Sequence, residues 1–400
     1  MVDTNKNKIL GANLLFYIAI CTEIVIVIID KSSFVNPLEG RLFQLTFVLC
    51  MLKIVMTKYN LKEWILIVLF LALGFVSDRI TDRNEIIRFV AFIAASKGID
   101  RNKTLKIVFY VTLVGILGLA ILSLLGILGD AYLLADYGRS EGLEKRYCLG
   151  LGHPNALHCM FWAVLTLGIY LYSSKLKWWH YAILLVLNIG LFILTDSRTG
   201  LLVSGFCILC GAIYSSYPSI KDKRWIYIIG GILLIACVAF SIDAATYNGY
   251  FDADARPVMA WINSKMTGRI FEGGITGAIE KWSLFSDAEV KGYTDMGYIK
   301  LFHWYGIIPA CIYILSILSL IKFCYKKRDI SALLLISSFS IYTLVEAHAV
   351  SPYFGRNYLI MLFIGVWSEV FLVQKGATGY FWQLKKIFKG INTHEESVNV

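Results

Sequence analysis

The residue most able to do chemistry is Glu346, in Leu344-Val-Glu346-Ala-His348 near the end of an apolar block, with Phe354-Gly-Arg356-Asn357 just beyond it. Desolvation there raises a carboxyl pKa toward the range of a general base, and a nearby arginine opposes the rise. A charge so placed reads either as functional or as half of an ion pair with Arg356. A second group is Arg146-Tyr-Cys-Leu-Gly150-Leu-Gly-His153-Pro154-Asn155. Pro154 suits the first turn of a helix, which puts His153 and Asn155 at its positive end beside Arg146. That is a place for an anion or a sugar, or simply a polar helix cap at headgroup level.

Two further groups follow. In Thr195-Asp196-Ser197-Arg198-Thr199 the turn between two apolar blocks is so short that Arg198 must stay near the bilayer surface, satisfied by Asp196 or by a lipid phosphate. Farther on come Gly268-Arg269 and Asp295-Met296-Gly-Tyr298, the latter opening another apolar block. Asp295 and Tyr298 share a helix face, and Asp295 there also suits the helix dipole. His303 lies two turns deeper, as a packed or pore-facing residue. Glu23 and Lys53 belong to no motif and read as helix contacts or interfacial snorkels.

The elements that position these residues are membrane spans. Of 400 residues, 58% are hydrophobic and only 16% charged, too apolar for one soluble core. Apolar blocks of about 17 to 25 residues match a helix crossing the hydrocarbon. They predict an all-α polytopic protein, a single membrane domain over 1–400 with about twelve transmembrane helices. The blocks lie near 11–29, 41–57, 62–77, 84–96, 105–129, 153–173, 178–195, 199–215, 224–241, 297–321, 330–348 and 357–374, the fourth being short and carrying Arg88. Lys and Arg crowd one set of alternate connections, from Lys58, Lys62 and Lys97 to Lys326 and Lys327, which predicts a multi-pass protein with both termini cytoplasmic. The net charge of +10 is this topological bias plus attraction to anionic lipid, and does not point to nucleic acid. The nine cysteines give no disulfide framework, since all but Cys148 fall in or beside apolar blocks. Cys207-x-x-Cys210 reads as small buried hydrophobes, not as a metal or redox pair.

Two connections on the opposite side are long, Gly129 to Gly152 and 242–296. The second is an expected extracytoplasmic loop between spans 9 and 10, with the make-up of a small folded cap and with Trp261 and Trp282 suited to the interface. The cytoplasmic set is almost all Lys, whereas the outer side is rich in Arg, at 146, 198, 269 and 356 among others. The planar guanidinium grips phosphate or carboxylate in two places, so this asymmetry points either to an anionic ligand or to salt bridges with the acids of the same side.

Taken together, Arg146 with Gly150 and His153-Pro154-Asn155, Thr195-Asp-Ser197-Arg198-Thr199, Gly268-Arg269, Asp295-x-x-Tyr298 with Gly306, and Glu346 with Asn357 resemble the O-antigen polymerase and ligase superfamily, over roughly residues 140 to 360. The resemblance implies a plasma (inner) membrane glycosyltransferase acting on undecaprenyl-diphosphate-linked oligosaccharide at the outer face, with no nucleotide sugar, cofactor or metal, and with membrane lipids, a flippase and a chain-length regulator as partners. It implies diphosphate contacts from Arg146, Arg198, Arg269 and Arg356, and a base among Glu346, Asp295 and His153, with Asn155, Tyr298 and Asn357 binding substrate or shaping the site. Ligases carry His-Asn where this chain has Asp295-Met296. The Asp favours a polymerase of the capsule, exopolysaccharide or O-antigen type, while Met296 departs from the usual Asn. The alternatives are a ligase passing the glycan to another acceptor, and a flippase or transporter. A transporter would place its charges nearer the midplane and show two related halves.

Overall fold

A computed structural model describes residues 2–135, 142–287, 292–347, 350–364 and 366, with side chains from residue 10 onward. The helices are α1 (Val2–Lys31), α2 (Glu39–Met56), α3 (Leu61–Thr81), α4 (Glu85–Ala95), α5 (Arg101–Leu124), α6 (Pro154–Tyr172), α7 (Trp178–Thr195), α8 (Arg198–Ser216), α9 (Arg224–Ala244), α10 (Gly249–Asp252), α11 (Pro257–Lys265), α12 (Arg269–Thr276), α13 (Gly297–Tyr305), α14 (Ile307–Lys327), α15 (Ile330–Val345) and α16 (Tyr358–Leu362). Among the described residues eight helices are long and apolar enough to cross a membrane: α1 from Leu10, α3, α5, α6, α7, α8, α9 and α14. Their outward faces carry exposed Leu, Ile and Val, such as Val114, Val186, Ile193 and Leu202, as lipid-facing helices require. The chain is a helical, multi-pass membrane protein. The expected last span, 357–374, lies outside the described residues beyond 366, as does His348.

One feature departs from the all-helical expectation. β1 (Tyr132–Ala135) and β2 (Glu144–Tyr147) pair antiparallel, with Leu133 opposite Arg146. The pairing turns Arg146 inward until it is 2% exposed.

Helix α15 stands at the centre, touching α6, α8, α9, α13, α14 and α16. Trp162 of α6 stacks on its Tyr342 with ring centroids 4.7 Å apart. Its buried Ser340 and Thr343 hydroxyls are satisfied within the helix, Ser340 donating to the Ile336 carbonyl at 2.8 Å and Thr343 to that of Phe339 at 2.8 Å. This lets a polar residue sit in a dry interface.

A second polar centre ties α1, α2 and α4. Arg88 Nη2 lies 3.1 Å from Glu23 Oε1, Thr46 donates to the same oxygen at 2.5 Å, and Arg88 Nη1 donates to the Pro352 carbonyl at 2.8 Å. The Arg88 guanidinium also lies 3.8 Å from the centroid of Phe43. Glu23 is thus the counter-charge that lets the short α4 carry an arginine. Breaking a buried pair strands one charge, so Arg88→Met should lower stability by about 3–5 kcal/mol, and the Glu23→Met/Arg88→Met double variant should recover most of it. Thermal unfolding in detergent reads both; a double variant as unstable as the single would assign the loss to packing on Phe43. Lys53 plays a smaller structural part, donating to Thr57 Oγ1 at 2.9 Å and to the Lys97 carbonyl beyond α4 at 3.2 Å.

The expected span over 297–321 is two helices. Gly306 breaks it at φ +94°, a conformation that disfavours any residue with a Cβ, and a Cβ there would lie 2.6 Å from Phe285 Cα. The backbone groups freed by the break are taken up by the preceding segment: Ser286 N donates to the Tyr305 carbonyl at 3.3 Å and Ile307 N to that of Ser283 at 2.9 Å. α14 is long enough to cross by itself, so α13 is released to lie against α15 and α9.

Between α9 and α13 the chain folds on a core of its own, in which Tyr247, Met259, Ile270 and Met296 are buried. Met296 is therefore a packing residue. Gly274 brings α12 so close to the Tyr247 carbonyl that no side chain would fit, and this contact sets where Arg269, the first residue of α12, emerges. Trp282 stacks on Phe302 at 4.6 Å, whereas Trp261 is exposed.

Candidate functional site

Arg269 is the hub. Its Nε donates to Asp295 Oδ2 at 3.0 Å, its Nη2 to Glu346 Oε1 at 2.8 Å, and its Nη1 approaches Thr199 Oγ1 at 3.5 Å. The fork of one guanidinium thus joins the start of α12, the entry to α13, the end of α15 and the first turn of α8. Each partner is set by a chain end: Glu346 caps α15, and Asp295 lies just before α13. The Arg269 and Glu346 side chains are 13% and 14% exposed, and Asp295 is 31% exposed. Burial pushes the Glu346 carboxyl up to about 7; Arg269 opposes the rise and Asp295 adds to it.

Beside this hub the start of α6 and the α7–α8 turn meet through Arg146. Its Nε donates to the Thr195 carbonyl at 2.6 Å and its Nη2 to the Asp196 carbonyl at 3.1 Å and to Asn155 Oδ1 at 3.2 Å. Asp196 ends α7 in the left-handed conformation, φ 46°, which directs both carbonyls to one donor. Pro154 opens α6 and His153 caps it, accepting from Asn155 N at 3.1 Å. Partial desolvation and the Arg146 charge push the His153 imidazole below the ordinary histidine value, while Asp295 pulls the other way. His153 therefore sits between the two groups, biased to the neutral form that can accept a proton.

The remaining expected residues separate. Arg198 is exposed at the start of α8, next to Thr199, and makes no hydrogen bond or ion pair with the described residues. Arg356 pairs with Asp30 at the end of α1 and lies over Tyr353, so Glu346 finds its partner in Arg269 instead. Tyr298 and Asn357 are 1% exposed in the bundle, Tyr298 donating to the Ser340 carbonyl at 3.3 Å and Asn357 to the Tyr313 hydroxyl at 3.0 Å. His303 is buried in α13 and is not joined to the Arg269 pairs.

Compared with known proteins, the chain matches no family model, no curated protein and no solved structure.

The sequence reading missed the support under the α7–α8 turn. His158 Nδ1 lies 3.1 Å from Thr195 Oγ1 and its Nε2 2.9 Å from Asn188 Oδ1, and Asn188 Nδ2 donates to the Leu201 carbonyl at 3.0 Å. All three side chains are fully buried. They fix the turn that carries Arg198 and Thr199. The available signal was a lone polar residue inside each of two apolar blocks, since such a group is costly unless it finds a partner.

Chemically, the ends of α6, α8 and α15 and the entries to α12 and α13 gather two arginines, two carboxylates and a neutral-biased histidine. Among the described residues no three His, Cys, Asp or Glu side chains assemble as a metal ion would need.

Proposed function

We propose that the chain is a polysaccharide polymerase of the O-antigen polymerase type, joining oligosaccharide repeat units carried on undecaprenyl diphosphate at the outer face of the plasma membrane. The single observation that carries this reading is Arg269 clamped between Asp295 and Glu346, residues 26 and 77 positions away. The Lys-rich connections favour cytoplasmic termini, about twelve crossings and an extracytoplasmic position for 242–296.

The step needs a base and a stabiliser for the departing diphosphate. The acceptor hydroxyl oxygen attacks the anomeric carbon, the bond from that carbon to the phosphate oxygen breaks, its electron pair leaves with the lipid diphosphate, and the hydroxyl proton goes to Glu346. With its carboxyl pushed up to about 7, Glu346 is basic enough to take that proton near neutral pH. Neutralising Glu346 also releases one arm of Arg269 at the moment charge grows on the leaving group, so base and electrostatic stabiliser are coupled. Exposed Arg198, beside Thr199, supplies a second cation. Arg146 is spent on holding the turn and acts as a positioning residue.

The test is purified protein in nanodiscs with the lipid-linked repeat unit, chelator and no nucleotide sugar, with products followed by gel. A ladder at repeat-unit spacing is expected, and it should be lost in folded Arg198→Ala and Glu346→Ala variants. Translocation of the intact unit without a ladder would overturn the reading in favour of a flippase, and transfer of the glycan off its carrier to another, added acceptor would favour a ligase.

A further inference from the structure

Helix α9 has 21 residues, about 31 Å at the helical rise, which matches the hydrocarbon thickness, so its last turn lies at one boundary of the bilayer. Its lipid-facing side carries exposed Ile228, Ile232 and Ile235. Beyond it the chain folds back on that last turn. Arg256, which caps α11, pairs with Asp243 at 2.6 Å and donates to Thr246 Oγ1 at 3.0 Å. α10 begins at Gly249, shortly after the end of α9 at Ala244, and the Arg256 tether pins the start of α11 at the same level.

From these two short helices Tyr250, Phe251, Val258 and Trp261 project, 62% to 83% exposed. The apolar residues of α11 divide by face, Met259 and Ile262 turning into the core between α9 and α13, Val258 and Trp261 away from it. Trp261 is about 8 Å along the helix from Arg256, so the patch stays within the interfacial layer, where Trp and Tyr concentrate. It continues the lipid-facing side of α9. Four side chains are too few for a stable protein interface, which takes roughly 20–30 residues a side. The edge of the patch carries two acids, Asp252 and Asp254, and two bases, Arg256 and Lys265, so it has no net attraction for a charged partner.

The same helices hold the start of α12. Asn263 of α11 accepts from Phe271 N at 3.0 Å through its side chain and from Gly268 N at 3.0 Å through its carbonyl. The Tyr250 ring meets that of Phe271 edge-on, with centroids 4.9 Å apart. Arg269 lies between those two bonded amides.

We propose that α10 and α11 form a foot that seats Tyr250, Phe251, Val258 and Trp261 in the interfacial layer of the bilayer, and that this contact holds the start of α12 and so the position of Arg269. The occupant is a zwitterionic phospholipid surface. The contact stands whichever reaction the site performs.

Protein carrying an environment-sensitive fluorescent amino acid in place of Phe251 is placed in phosphatidylcholine nanodiscs whose acyl chains are brominated either near the headgroup or near the methyl end. Quenching of about twofold or more by the shallow bromines, and less by the deep ones, is expected, with the reverse order for the same label at Ile235 in the middle of α9. Hydrogen exchange reads the second half of the proposal. The Phe271 amide should exchange about tenfold or more faster in Phe251→Ser/Trp261→Ser, and comparably in Asn263→Ala, which leaves the quenching of the foot intact. No quenching by either lipid, or an emission shift brought by added oligosaccharide or by a second copy in the disc instead of by bromine, would overturn the lipid contact. Quenching with a Phe271 amide indifferent to Phe251→Ser/Trp261→Ser would overturn the coupling to Arg269.

Discussion

Arg269→Ala is expected to abolish repeat-unit joining, with a loss of about 10²–10³-fold or more in initial rate, the scale of removing one preorganised stabiliser of developing negative charge. It should also destabilise the protein, since Glu346 and Asp295 would face each other without the guanidinium that now bonds both. Loss of a buried partner costs about 3–5 kcal/mol, most of it on the Glu346 side because Asp295 is partly solvated. Two companions separate the effects. Arg269→Lys keeps a charge but, as a point ammonium, cannot span both carboxylates, so it should keep most of the stability and little of the rate. Arg269→Gln/Glu346→Gln removes both charges and should regain stability without activity. Rates from the ladder and unfolding midpoints in the same detergent check the pattern; a double variant that regains activity would assign Arg269 a purely structural part.

The second large effect is on pH dependence. Because the Glu346 carboxyl is pushed up to about 7, the ionised form needed for proton uptake disappears below that pH, and the wild-type rate should fall as pH drops through 7. Glu346→Gln should lower the rate by about 10²–10⁴-fold and leave it flat across the same interval. Stability moves the opposite way. Folded Glu346 binds its proton more tightly than the unfolded chain, whose ordinary value is 4.5, so its contribution is most favourable below 4.5 and declines as pH rises toward 7. The wild type should therefore gain stability on mild acidification relative to Glu346→Gln, while losing activity. A rate profile unchanged by the substitution would remove Glu346 from proton transfer and leave His153 or Asp295 as the base.

Much of the frame was legible because a bilayer imposes a simple rule. An apolar block of sufficient length must be a helix, and α1, α3, α5 to α9 and α14 follow it. The same rule hides the break at Gly306: apolar composition runs on through Ile307 and Ile308, and periodicity says nothing where both faces are apolar. The β1–β2 hairpin was hidden because its two strands have only four residues each. At the site, His153, Asn155, Arg198, Asp295 and Glu346 were visible as polar residues at or beside the ends of apolar blocks, and Arg146 and Arg269 as arginines in the two long connections. Their pairing was not. Glu346 has an arginine ten residues on, and local reasoning joins the two, yet Arg356 is taken by Asp30 of α1 while Glu346 is met by Arg269 from the start of α12. Which charge finds which is decided by tertiary closure, here by Gly274 seating α12 against Tyr247. Glu23, Arg88, His158 and Asn188 teach a complementary lesson: each looked isolated in its own block, and each is paired by another.

The most direct measurement of the central claim is stoichiometry: undecaprenyl diphosphate released against glycosidic bonds formed, in one nanodisc preparation of wild type and of Arg269→Lys. One diphosphate released per bond, with both falling together in the variant, is the expected result. Movement of the repeat unit across the bilayer with no diphosphate released, or release unaffected by the Arg269 substitution, would contradict it.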